Sequence, residues 1–329
     1  MYRRAALLGM GLILLAGCVS PTDSSGESPG PTDATASGSG GGNGTVYVSD
    51  WGSDRLTITG QPINVDGTVG AATEVLAEEA DESTFAGIVD GIGDLVLIGK
   101  FTEYWTTEVS LRRGADLVRQ VTAPQWCGGE GLVYNVCVLL DETRLARTTE
   151  LGGEDAAEGS VLVSSLETGK KLAEFGPFAG LAMVLPTDSS DRIFLVTGKE
   201  GGPSLVSVLD LTDGTTTQVG ESPEGWAPLC PIGSDSVLGF NSEGTPTATV
   251  VGPAQAAKFS WDADDSLAGC SADGRFVYVQ RIPQPPTDEV EDTEPPNPPT
   301  ELDRIAVSDG TRGQVLVLDP GLIAGPVTR

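Results

Sequence analysis

Five stretches of the chain share one pattern: a strand rich in small residues, a turn of Gly, Asp or Ser, then a more hydrophobic strand. They are FAGIVDGIGDLVLIGKF from Phe85, YNVCVLLDETRLARTTELG from Tyr134, LAMVLPTDSSDRIFLVTGKEG from Leu181, WAPLCPIGSDSVLGFNSEG from Trp226 and LAGCSADGRFVYVQRIP from Leu267. Ile88, Cys137, Val184, Cys230 and Cys270 occupy equivalent places, at intervals of 49, 47, 46 and 40 residues. A second hairpin follows in several units: SVLVSSLETGKKLAEF from Ser160, SLVSVLDLTDGTTTQV from Ser204 and RIAVSDGTRGQVLVL from Arg304. In each, a strand ends in Asp or Glu, a Thr/Gly turn follows, and a strand returns. Glycine supplies the positive φ that tight turns require.

Four strands in some 40–50 residues is the period of a propeller blade. A blade cannot bury both of its faces alone, so stacked neighbours must do it. The expected fold is therefore an all-β propeller. The count is six blades, with five or seven if one unit is miscounted; a β-sandwich, or a pair of them, is the competing architecture. TVYVSDWGSDRLTITG at Thr45 begins with a strand of the second type and lacks the first. The terminal GLIAGPVTR follows a completed hairpin and is placed to supply the missing innermost strand, which would join the termini and remove an open sheet edge.

The Val-Tyr-Val-Ser-Asp and Phe-Val-Tyr-Val runs, with Ala-Asp-Gly and Glu-Thr-Gly turns, resemble the YVTN, TolB-like and WD-repeat propellers over residues 45–329. The Gly-His and Trp-Asp signatures of true WD repeats are missing. The resemblance implies the fold and little about activity, because propellers host many functions.

Ahead of the repeats, Arg3 and Arg4 precede an apolar run from Ala5 to Leu15, too short to span a bilayer as a mature helix. Leu15-Ala16-Gly17-Cys18 then resembles the bacterial lipobox, in which the signal is cut before the cysteine and its thiol is lipidated. That implies a signal peptide over 1–17, a lipid anchor on Cys18, and a site at the outer face of the bacterial cell membrane; an ordinary cleaved signal is the alternative. Residues 18–44 are rich in Ser, Gly and Pro, cannot build a core, and read as a flexible tether.

The chain has 19 basic and 47 acidic residues, a net charge of −28, and no histidine. Such acidity disfavours nucleic acid and anionic membrane as partners. The absence of histidine removes the common Ser-His-Asp and Cys-His nucleophile systems and His-ligated metals. Beyond Cys18 there are four cysteines, an even number that in an exported chain reads as two disulfides. Three pairings exist; Cys127–Cys137 and Cys230–Cys270 are preferred, because Cys230 and Cys270 hold equivalent places in neighbouring blades.

In the propeller register the second-to-third and fourth-to-first connections share one face. Trp51 and Trp105 fall in the former, Trp126, Trp226 and Trp261 in the latter, with Tyr104 beside them. The longest insertions, including the acidic Pro-rich stretch 283–301, lie there too. The expectation is an aromatic rim with carboxylates such as Asp262, Asp264 and Asp265, suited to an envelope protein, a peptide or a carbohydrate. WDADDS from Trp261 also has the oxygen donors calcium favours, without the spacing of an EF-hand loop; no metal or cofactor is assigned. The expected function is binding or scaffolding by a monomer. The alternative is a carboxylate-based glycoside hydrolase or lyase.

Overall fold

The computed structural model describes residues 44–50, 55–79, 85–101, 106–121, 137–149, 158–198, 202–241, 245–254, 256, 258–262, 265–271, 273–281, 299–319 and 322–324. Strands β1 (Thr45–Asp50), β2 (Arg55–Pro62) and β3 (Thr73–Glu79) belong to blade one. Blade two has β4 (Phe85–Ile92), β5 (Leu95–Phe101), β6 (Thr106–Arg113) and β7 (Asp116–Val121). Blade three has β8 (Cys137–Leu139), β9 (Arg144–Thr149), β10 (Glu158–Ser165) and β11 (Lys171–Ala179). Blade four has β12 (Leu181–Pro186), β13 (Arg192–Gly198), β14 (Ser204–Asp210) and β15 (Thr216–Glu221). Blade five has β16 (Trp226–Ile232), β17 (Ser236–Asn241) and β18 (Thr247–Val251). Blade six has β19 (Ser266–Cys270), β20 (Phe276–Arg281), β21 (Thr300–Ala306) and β22 (Arg312–Leu318). β21 thus takes in Thr300 and Glu301, the last two residues of the stretch read from sequence as a loop.

The last strand, β23 (Ile323–Ala324), returns to blade one and pairs antiparallel with β1, Val48 opposite Ala324 and Ser49 opposite Ile323. The order in that sheet is β23-β1-β2-β3, so the C-terminus supplies its innermost strand, as the half-complete first repeat predicts. The fold is a six-bladed β-propeller.

Side-chain alternation builds the ring. A strand sends successive side chains to opposite faces, and each second strand is buried on both. In β5, Leu95 and Leu97 pack toward blade three, while Val96 and Ile98 pack toward blade one. In β13, Ile193 and Leu195 join blade three, and Phe194 and Val196 join blade five. In β20, Val277 and Val279 join blade five, and Tyr278 joins blade one. Six apolar clusters result, one in every seam between neighbouring sheets, including the seam from blade six back to blade one. This explains why most second strands read as hydrophobic runs; β9, RLARTT, departs from the pattern.

Polar contacts staple the same seams. Arg112 of blade two reaches Glu78 of blade one at 3.4 Å, and Arg144 of blade three reaches Asp191 of blade four at 3.1 Å. At the closing seam, the Arg304 guanidinium lies 4.8 Å over the Phe276 ring and donates to the carbonyls of Asp66 at 2.7 Å and Val65 at 3.4 Å. Gly67 (φ 89°) makes room for it: a Cβ there would lie 2.3 Å from Arg304 Cζ. Blades five and six are joined through their innermost strands by a Cys230–Cys270 disulfide, Cα–Cα 6.4 Å, as their aligned positions suggest. Cys137 is also disulfide-bonded, while Cys127 lies outside the described residues.

One buried acid works as a strut. Asp90 in β4 is 1% exposed; its Oδ2 accepts from the Leu139 amide of blade three at 2.6 Å and its Oδ1 from the Gly91 amide at 2.8 Å. Removing the acceptor would leave the buried Leu139 and Gly91 amides unsatisfied, at a cost of about 1–3 kcal/mol. Asp90→Ala is expected to lower unfolding free energy by roughly 2–3 kcal/mol. Chemical denaturation measures this, and a change below about 0.5 kcal/mol would show that the strut carries no load.

Candidate functional site

The ring has two unlike faces. First-to-second and third-to-fourth turns share one; most are short, the β2–β3 connection of blade one, residues 63–72, being an exception. They are built by a recurring Asp-x-Thr device in which a threonine hydroxyl and amide both donate to the aspartate, as at Asp66/Thr68, Asp141/Thr143, Asp210/Thr212 and Asp213/Thr215. The bonds from Thr68 hold the Asp66 carboxyl below the usual carboxylate range, and those from Thr212 do the same for Asp210. These acids are occupied in closing turns. The other face carries the second-to-third and fourth-to-first connections, where the sequence places its long insertions and its aromatic rim.

Of the residues expected on that rim, Trp51, Tyr104, Trp105, Trp126 and Asp264 lie outside the described residues. The expectation fails for Trp226 and Trp261. Trp226 is 6% exposed; it sits at the start of β16, fills the seam between blades four and five, and donates from Nε1 to the Thr249 carbonyl at 3.2 Å. Gly239 on the neighbouring strand leaves space for the indole: a Cβ there would be 2.2 Å from Trp226 Cε2. Trp261 is 4% exposed and packs between blades five and six, edge-on to Phe240 with centroids 5.5 Å apart. The reason is geometric. Neighbouring sheets diverge away from the axis, and a tryptophan in a connection can fill that wedge as readily as face solvent.

The acidic stretch behaves in kind. Asp262 is exposed, but the Asp265 side chain is 3% exposed and accepts from Arg312 Nη2 at 3.0 Å. Arg312 Nε donates to Asp303, 4% exposed, at 2.7 Å. Burial pushes the Asp265 carboxyl above its ordinary value; the hydrogen bond and charge of Arg312 pull it back only in part. The cluster clamps the segment crossing from blade five to blade six. Among the described residues, no group of three or more His, Cys, Asp or Glu is arranged to hold a metal ion.

A residue that composition and motif reading pass over is Arg147. It lies in β9, in the half leading to the loop-rich face, paired across to Cys137 on β8 and Leu162 on β10. Leu145, two residues earlier, faces the seam between blades two and three, so alternation sends Arg147 to that seam. The signal was present in RLARTT: an arginine at an inward position of a second strand.

No family model matches the chain, and no curated relative matches it. Solved structures do. TolB from Acinetobacter baumannii is 10% identical, with a TM-score of 0.49, over 86% of this chain and 67% of that one. An oligogalacturonate lyase from Vibrio parahaemolyticus is 11% identical, TM-score 0.42, over 82% of this chain and 79% of that one. Dipeptidyl peptidase 4 from Porphyromonas gingivalis is 11% identical, TM-score 0.38, over 83% of this chain but 45% of that one. These likenesses are distant, and the propeller assignment rests on strand order and on the closed circuit of seams.

Proposed function

We propose that the chain is a membrane-tethered, extracytoplasmic lipoprotein whose propeller is a binding or scaffolding module, offering its loop-rich face to an envelope protein, peptide or carbohydrate. The observation that carries this reading is where the chain enters the ring. The Gly44 carbonyl accepts from the Ile63 amide at 2.9 Å, at the start of the β2–β3 connection. A tether ending at Gly44 would therefore join the short-turn face, leaving the long insertions to the opposite end. A chain of 25 residues, 19–43, with Gly/Ser character has an r.m.s. reach of about 25–30 Å. That distance lifts the ring off a lipid surface without holding it there rigidly.

Binding is favoured over catalysis because the chain has no histidine and its short-turn aspartates are engaged in turn hydrogen bonds. Lipid on Cys18 predicts that wild-type protein sediments with membranes and that Cys18→Ala is released in soluble form; equal retention of both would overturn the anchor. The binding role is tested on the soluble Cys18→Ala chain by melting-temperature shifts with wall sugars, envelope peptides and calcium. A saturable rise of several degrees with a sugar or peptide is expected. No shift with either at millimolar concentration contradicts the role.

A further inference from the structure

We propose that Arg147 anchors an oxyanion-binding site at the seam between blades two and three, taking the carboxylate or phosphate group of a small ligand. The inference rests on reading the propeller as a binding module.

Arg147 is partly buried, its Nε is shut off from solvent, and that atom has no hydrogen-bond partner. The Nε atoms of Arg112, Arg119 and Arg281 are orphaned too, but each of those guanidiniums has a carboxylate. Burial pushes the pKa of the guanidinium down, and no carboxylate among the described residues opposes the effect. This is out of character for a chain with 47 acidic residues against 19 basic ones. Other seam arginines have acids: Arg113 pairs with Glu142, Arg119 with Glu167, Arg144 with Asp141 and Asp191. The acid opposite Leu162, on the same face of blade three as Arg147, is Glu174, and it is bonded to Lys171 at 2.6 Å.

A partly desolvated charge without a counter-charge opposes folding. No acid among the described residues answers this one, and violations of that kind concentrate where function needs them. The planar fork of a guanidinium grips a carboxylate or phosphate through two parallel hydrogen bonds, whereas an ammonium offers only a point charge. An anion arriving from outside would supply the missing counter-charge at the part of the guanidinium that is not shut off. The location agrees: Arg147 lies toward the face away from the tether.

The test titrates the full chain carrying Cys18→Ala with citrate and with pyrophosphate at low ionic strength, with sodium chloride as the control. One of the two is expected to bind saturably, and whichever binds more tightly identifies the oxyanion. Arg147→Met, which keeps the apolar stem, is expected to weaken that binding at least tenfold; Arg147→Lys is expected to weaken it less for pyrophosphate than for citrate. Without anion, Arg147→Met is expected to melt at or above the wild-type temperature, an outcome a structural arginine would not give. Unchanged binding by Arg147→Met would place the anion elsewhere and overturn the proposal. So would the absence of saturable binding of either anion by wild type. Either result leaves the membrane and sugar or peptide tests standing, so the two readings fail separately.

Discussion

A chain ending at Leu318 is expected to lose the single cooperative melting transition of the closed ring, with its first melting step lowered by 10 °C or more. The truncation removes Asp319–Arg329, and with them β23. β1 then loses its partner at Val48 and Ser49, and blade one loses its innermost strand. Leu322, which packs against the cluster joining blades six and one, goes as well. An unpaired strand edge is also a template for association, so the truncated chain is expected to self-associate. For a domain this large, a degree-scale shift of that size corresponds to about 3–5 kcal/mol. A synthetic peptide of residues 319–329 added in trans is expected to restore part of the loss. A truncated chain that melts within about 2 °C of wild type and stays monomeric would falsify the closure mechanism.

The second large effect is expected at Trp226, where Trp226→Ala should cost about 3–5 kcal/mol, the range for emptying a buried aromatic site. The indole fills the seam between blades four and five, and its Nε1–H satisfies the Thr249 carbonyl. Trp226→Phe keeps most of the volume and loses the hydrogen bond, so about 1–2 kcal/mol is expected. Gly239→Ala attacks the same contact from the other side, because its Cβ would also lie 2.3 Å from the Ala227 carbonyl. Urea unfolding of the three variants decides the matter. A cost below about 1 kcal/mol for Trp226→Ala would return the residue to the exposed rim where sequence first put it.

That contrast shows how much of the fold was readable. Period-two alternation within each second strand, and the recurrence of that strand, are local properties, and they specify sheets buried on both faces. The missing first strand before Thr45 and the surplus one near Ile323 make closure legible too. Equivalent positions in neighbouring units also foretold the Cys230–Cys270 bond. What sequence could not convey was depth. A tryptophan at a strand start has the same register whether it lies in a wedge or on a rim, and only the facing residue, here Gly239, decides. WDADDS looks like an open cluster until Arg312, 47 residues beyond Asp265, is seen to reach it. Arg147 was hidden for the opposite reason: its type is ordinary, and only its inward parity and missing partner make it unusual.

Amide hydrogen exchange resolved by peptide tests closure most directly, because paired strand ends must be protected together. If the ring is shut by its two ends, the segment around Val46–Asp50 and the segment around Leu322–Ala324 will exchange slowly and at matching rates, opening only with the global transition. A C-terminal segment that exchanges within seconds while β1 stays protected would contradict it.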